Sequence, residues 1–132
     1  DTSLGEALLA PTRIYVKSLL KLLEQTEVHA LAHITGGGLT ENLPRVLPEQ
    51  HDAQIVRDSW QQPAVFDWLS KAGGIDEAEM LRTFNCGIGM VIVVDAKSVR
   101  EVTQALEEAG ETVTQIGRIN PGDGVQYLGS LL

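Results

Sequence analysis

Residues 88–94, Ile-Gly-Met-Val-Ile-Val-Val, form an uninterrupted apolar run entered from Asn85-Cys86-Gly87. A short run without polar alternation suits a strand covered on both faces, so other elements must pack on either side of it. It is expected to be the central strand. Val28 to Ile34 has the same profile, bounded by Glu27 and a glycine run. With helical patterns between such strands, the expected fold class is α+β, or α/β layered: a mixed β-sheet with helices packed on it. The chain has 132 residues, the size of one domain that can bury a core without disulfides. An apolar share of 43% and a charged share of 21% argue against disorder.

The remaining elements follow from periodicity and punctuation. Ser3 and Glu6 have capping-box spacing, but Pro11 disfavours helical geometry at Ala10, so residues 1–11 read as a lead-in arm with a short helical turn. Residues 12–132 read as a single domain. Val16, Leu19, Leu20 and Leu23 recur at helical spacing in a helix expected from Thr12. Thr40 is the expected N-cap of a helix reaching about Leu47, ended by Pro48. A strand is expected over 51–56, a helix from Pro63 closed by Gly73-Gly74, and a helix capped by Asp76. Val99, Val102, Leu106 and Ala109 mark another helix, with Gly110 as its C′ residue. Residues 112–119 and 125–128, joined by Asn120-Pro121-Gly122-Asp123-Gly124, are expected to form a terminal hairpin. The order is α-β-α-β-α-α-β-α-β-β.

A formal net charge of −8 leaves no basic face for DNA or RNA, so no nucleic-acid partner is expected. No apolar run approaches the roughly 20 residues that cross a bilayer, so no membrane partner is expected either. The first residues lack the basic segment and apolar stretch of a signal peptide, and the one cysteine, Cys86, has no internal partner. A cytoplasmic location is expected.

The segment with most chemical content is Thr35-Gly36-Gly37-Gly38, between a strand and a helix. Glycines allow positive φ angles and close backbone approach, and the exposed amides and helix dipole favour an anion, phosphate being the natural occupant. The segment lacks a P-loop ending and the spacing of a dinucleotide fingerprint. A plain flexible turn is the competing reading. Asn42 and Arg45, three residues apart on a helix, either flank the anion or belong to a solvated surface. Arg13 and Tyr15 offer a two-pronged phosphate grip or a surface arginine beside a packed tyrosine. His33 is a substrate contact, a proton donor or a structural histidine. His29 and His33 would lie about 13 Å apart on a strand, too far to share a metal ion, and no metal site is expected. Cys86 reads as a packed thiol rather than a nucleophile. Asn85, Gly87 and Gly89 form a strand-entry turn that a ligand can approach. Trp60 and Trp68 are expected to cover core edges. A bulky β-branched residue at Gly37 is expected to weaken phosphate binding more than folding.

Four segments carry a family resemblance: 9–16, Leu-Ala-Pro-Thr-Arg-Ile-Tyr-Val; 32–38, Ala-His-Ile-Thr-Gly-Gly-Gly; 42–48, Asn-Leu-Pro-Arg-Val-Leu-Pro; and 83–90, Thr-Phe-Asn-Cys-Gly-Ile-Gly-Met. In order and separation they resemble the C-terminal half of the phosphoribosylformylglycinamidine cyclo-ligases, also called aminoimidazole ribonucleotide synthetases. The resemblance implies a substrate-side domain of an enzyme that closes the imidazole ring of formylglycinamidine ribonucleotide with ATP, giving aminoimidazole ribonucleotide in purine biosynthesis. It further implies an absent N-terminal half that binds most of the ATP and Mg2+ and makes a homodimer, so this piece alone is expected to be inactive. Thr35, Gly36, Gly37 and Gly38 are implied to hold phosphate. Asn42, Arg45, Arg13, Tyr15, His33 and Asn85 are implied to share that cleft, with no catalytic base identified. Two alternatives stay open: a related ATP-dependent synthetase or kinase of the same superfamily, and a non-catalytic phosphate or nucleotide sensor.

Overall fold

A computed structural model describes residues 3, 5, 6, 9 and 11–129. In the arm, Ser3 and Glu6 close the anticipated capping box, Ser3 Oγ donating to Glu6 Oε2 at 2.8 Å and Glu6 N–H to Ser3 Oγ at 3.3 Å. The geometry inferred for Ala10 lies outside the described residues. The first helix, α1, is Val16–Leu23, starting four residues later than the pattern suggested. Strand β1 is Ala30–His33 and leads through the glycine turn into a short helix, α2, at Gly38–Asn42. Thr40 is not its N-cap: Gly37, at φ +100°, takes that place, and Thr40 lies inside the helix with its hydroxyl 2.8 Å from the Tyr127 hydroxyl. At this positive φ a glycine turns the chain into the helix without the steric cost a side chain would carry.

Strand β2 is His51–Val56, followed by a single 3-10 turn at Arg57–Ser59. Helix α3 is Ala64–Gly73 with Pro63 at its N-cap, and left-handed Gly74 ends it. Helix α4 is Glu77–Thr83, and the Asp76 carboxylate accepts from Glu79 N–H at 2.9 Å as its cap. Strand β3 is Met90–Val93, and helix α5 is Val99–Glu108, terminated by Gly110 at φ +87°. Strands β4, Gly117–Pro121, and β5, Gly124–Leu128, complete the described chain.

The strands build two sheets where one was expected. β1 and β3 form an antiparallel pair, with Ala30 opposite Val93 and His33 opposite Met90. β2 is the centre of a three-stranded sheet, antiparallel to β4 and parallel to β5. β3 is therefore half-buried in a two-stranded sheet, and β2, with Ala53 and Ile55 in the core, takes the central place. An apolar crevice of about 550 Å³ lies between β3 and residues 111–119, with Val91, Val93, Val102 and Ile116 among its walls.

The expected terminal hairpin does not form. β4 and β5 sit on opposite sides of β2, so the chain crosses the end of β2 at residues 121–124. Gly122 makes the crossing possible: its N–H donates to Gln50 O at 3.0 Å, and a Cβ there would lie 2.7 Å from Asp52 Cγ. Turn residues that resemble a hairpin loop instead serve a crossover, because local chemistry specifies a bend and not which strand lies beyond it.

Three apolar clusters fill the interior. Ala32, Ile34, Leu39, Leu43, Ala53 and Ile55 join β1, α2 and β2. Leu22, Val102 and Leu106 join α1 to α5, and Met80, Leu81 and Cys86 gather beneath α4. Trp60 packs on the first cluster, its indole N–H 3.0 Å from Cys86 O, whereas Trp68 is more than half exposed and covers no core edge. Arg57 is fully buried, stacked 4.4 Å from the Trp60 ring centroid and 3.3 Å from Glu77.

Close approach of β4 to β2 requires Gly117, where a Cβ would stand 2.1 Å from Gln54 O. Gly117→Ala is expected to cost roughly 1–3 kcal/mol in urea unfolding, the usual penalty of overpacking a site that cannot relax. Equal midpoints for Gly117→Ala and the parent chain would contradict this strand pairing.

Candidate functional site

The glycine turn joins β1 to α2 at one end of the first cluster. Thr35 and Gly36 are exposed, Gly37 is half-buried and Gly38 is buried. Gly38 packs against the end of α4, where a Cβ would sit 1.9 Å from Leu81 O and 2.7 Å from Phe84 O. It serves helix packing, and the open part of the turn is Thr35 to Gly37.

Asn42 organises that turn from below. It is buried, and its side-chain amide Nδ2 donates to Thr35 O at 3.3 Å, Gly36 O at 3.2 Å and Gly38 O at 2.8 Å. A trans peptide is planar, with its C=O and the following N–H pointing in opposite directions. Drawing the carbonyls of Thr35 and Gly36 inward to Asn42 therefore turns the N–H groups of Gly36 and Gly37 outward. Among the described residues neither amide has a hydrogen-bond acceptor, whereas Gly38 N–H is taken by Thr35 O at 3.0 Å. Two adjacent outward amides make a concavity suited to an anionic oxygen. Asn42 thus acts by positioning the backbone.

Charge around the turn is arranged by Glu41. Its carboxylate receives Arg82 Nε at 3.0 Å and lies 3.7 Å from Arg45 Nη2, all three side chains being substantially exposed. With the Glu79 carboxylate also acting on Arg82, two guanidiniums stand against two carboxylates, so the group is close to neutral as a whole. Hydrogen bonding and the Glu41 and Glu79 charges hold the Arg82 guanidinium more firmly protonated. Arg45 also reaches Asn42 Oδ1 at 3.4 Å. Arg82, from α4, was not evident beforehand, since nothing in its local sequence links it to a turn about forty residues earlier.

Three further residues gather beside the turn. Tyr15 stands edge-on to His33, with ring centroids 6.0 Å apart, and its hydroxyl lies where a Gly89 Cβ would come within 2.0 Å. Gly89 O accepts from Ile34 N–H at 2.9 Å, so the 85–89 turn runs alongside residue 34. Asn85 Oδ1 caps its own turn by accepting from Gly87 N–H at 3.0 Å. Tyr15, His33, Asn85 and Thr35–Gly37 therefore share one region of the domain. The apolar crevice borders it through Tyr15, Gly87 and Gly89, but residues 35–38 do not line it.

Arg13 lines the same crevice and is held by the segment after α5. Its Nε donates to Glu111 Oε2 at 2.6 Å and its Nη2 to Gly110 O at 2.7 Å. Ser18 Oγ also donates to Glu111, at 2.6 Å. The arginine clamps the arm to the end of α5, which favours a structural role over a phosphate grip. His29 pairs with Asp95 at 3.3 Å, and the described residues contain no group of three His, Cys, Asp or Glu side chains able to hold a metal ion. Cys86 is fully buried, its thiol pushed up in pKa chiefly by burial, and its Sγ donates to Met80 O at 3.5 Å. Those properties belong to a packed thiol.

Gly37 behaves differently from the expectation drawn above. At φ +100°, with a Cβ position 2.9 Å from Glu41 Cβ, a β-branched residue there would disturb the fold together with any ligand. Gly36 is the cleaner probe, because a Cβ there meets nothing within 4 Å.

Comparison with known proteins gives three findings. The family model described as AIR synthase related protein, C-terminal domain, matches residues 1–128. A phosphoribosylformylglycinamidine cyclo-ligase from Nitrosococcus oceani is 56% identical over 121 residues, which cover 92% of this chain and 34% of that protein. The chain therefore spans about a third of the length of this curated relative. The crystal structure of E. coli HypE superposes with a TM-score of 0.68 at 22% identity, covering 90% of this chain and 37% of that one, a likeness of fold.

Two outcomes are expected from these contacts. Asn42→Ala removes three hydrogen bonds and leaves a void, so stability should fall by about 1–3 kcal/mol, with faster amide exchange at Gly38, whose N–H is held by Thr35 O. Unchanged exchange would show that the turn holds itself. Glu111 has its pKa lowered, first by the Ser18 hydroxyl and then by Arg13. A depressed carboxylate stabilises the fold above its unfolded pKa of about 4.3 and loses that contribution as pH falls through the lower folded value. Thermal melts from pH 6 to pH 3 should show a smaller acid loss for Glu111→Gln than for the parent chain.

Proposed function

Because the chain belongs to the AIR synthase related protein, C-terminal domain family, we propose that it supplies the substrate-side part of an ATP-dependent phosphoribosylformylglycinamidine cyclo-ligase. The observation that carries the reading is the 56% identity to the Nitrosococcus oceani protein of that name. In the proposed reaction ATP phosphorylates the formyl oxygen of formylglycinamidine ribonucleotide, a nitrogen of the amidine side attacks the activated carbon, and phosphate leaves with ring closure. The products are aminoimidazole ribonucleotide, ADP and phosphate. Activation is needed because an amide oxygen is a poor leaving group until it carries a phosphoryl group.

This chain's contribution is to bind and orient. The outward amides of Gly36 and Gly37 receive a phosphate of the ribonucleotide, with the Thr35 hydroxyl beside them. Arg45 and Arg82, held beside the turn by Glu41, are the guanidiniums available to that anion. Tyr15, His33 and Asn85 border the same place, and Asn42 keeps the amides aimed. Preformed backbone donors of this kind need no rearrangement when the anion arrives. ATP and Mg2+ are assigned mainly to an N-terminal half, as the family resemblance implies. The reading carries with it a homodimeric, cytoplasmic enzyme; no described helix is long and apolar enough to cross a membrane.

The test is a chimera in which this chain replaces the matched segment of the Nitrosococcus oceani relative, assayed for ATP-dependent formation of aminoimidazole ribonucleotide. Turnover is expected from the chimera and none from the 132-residue chain alone. A well-folded chimera without turnover would overturn the reading. Within it, Gly36→Val should raise KM for the ribonucleotide roughly ten- to hundredfold, the value of one or two hydrogen bonds to a charged group, with an unchanged melting temperature.

A further inference from the structure

We infer that the outward stripe of α1, continued by Ile14, is the surface on which the N-terminal half of the enzyme docks; this rests on the two-part enzyme proposed above. The apolar arc of α1 is wider than its contact with α5. At one edge Leu22 packs into the cluster with Val102 and Leu106 of α5. Past Leu19 the arc continues through Val16, Leu20 and Leu23 at positions i, i+4 and i+7, which are 61%, 58% and 46% exposed, and Ile14 just ahead of the helix is 80% exposed. An apolar arc that the domain's own core leaves uncovered is suited to a further partner. Scattered exposed leucines would carry no such meaning, but these three lie on one helix in register, with Ile14 just before it.

The occupant follows from size and connection. The matched region is 34% of the cyclo-ligase relative and 37% of HypE, and the family model is that of a C-terminal domain, so most of such a protein precedes this region. Ile14 and α1 are the first parts of the domain that a preceding half reaches. The clamp of Arg13 on Glu111 and Gly110 fixes where the connecting arm meets the domain, directly beside the stripe. Four aliphatic side chains offer roughly half of the about 800 Å² per partner that stable association of free proteins takes. That is too small for a second copy in trans but matches the interfaces between domains of one chain, where tethering supplies an effective concentration of about millimolar.

Maleimide labelling of Leu20→Cys tests the assignment in two proteins, the 132-residue chain and the full-length chimera. Cys86 is buried and stays silent in both, and exposed Lys71→Cys on α3 serves as the reference. The cysteine at position 20 should react freely in the isolated chain and at least tenfold more slowly in the chimera, relative to position 71. Equal relative rates in the two proteins would overturn the docking assignment, whatever the activity of the chimera. Protection already present in the isolated chain, with sedimentation as a dimer, would overturn it in favour of a second copy. Turnover reports separately on the proposed reaction: protection without turnover leaves the surface assigned and removes the chemistry.

Discussion

A single buried side-chain amide, that of Asn42, holds together the part of the domain with chemical potential. Three backbone carbonyls of the 35–38 turn converge on its Nδ2. A buried carbonyl without a donor costs free energy, and here one side chain satisfies the group while dictating its direction. Because each peptide is rigid, inward carbonyls mean outward amides. The same residue therefore stabilises the fold and turns two backbone amides toward solvent. Gly38 completes the arrangement by letting α2 touch the carbonyl end of α4, a contact any side chain would block.

That contact also brings Arg82 to Glu41. The chain as a whole carries −8, but beside the turn the Arg45 and Arg82 guanidiniums balance the Glu41 and Glu79 carboxylates. Screening over about 8 Å at physiological salt makes this local arrangement matter more to the turn than distant charge. Net charge thus describes how the protein behaves in solution and says little about this corner.

The split of the sheet has a related consequence. With β1 and β3 forming one pair and β4, β2 and β5 another, the apolar run at 88–94 is only half covered within this domain. Together with the outward stripe of α1, it belongs to a unit whose apolar surface exceeds what its own core can bury. A chain covering a third of its curated relative is consistent with such a surplus.

Periodicity and punctuation determined the kind and order of elements, because hydrophobic spacing and the special angles of glycine and proline act within a few residues. The strand at β2, the Asp76 cap, the Gly74 and Gly110 helix ends and the packed state of Cys86 were all legible in this way. So was the family, through its four segments. Tertiary structure alone decided that β5 runs parallel to β2 instead of pairing with β4, and that Gly37 and not Thr40 begins α2. It also decided that Arg13 clamps Glu111, ninety-eight positions away, and that Arg82 reaches Glu41 across forty-one. These depend on which distant segments meet once the core closes, and no local pattern of side chains encodes that meeting.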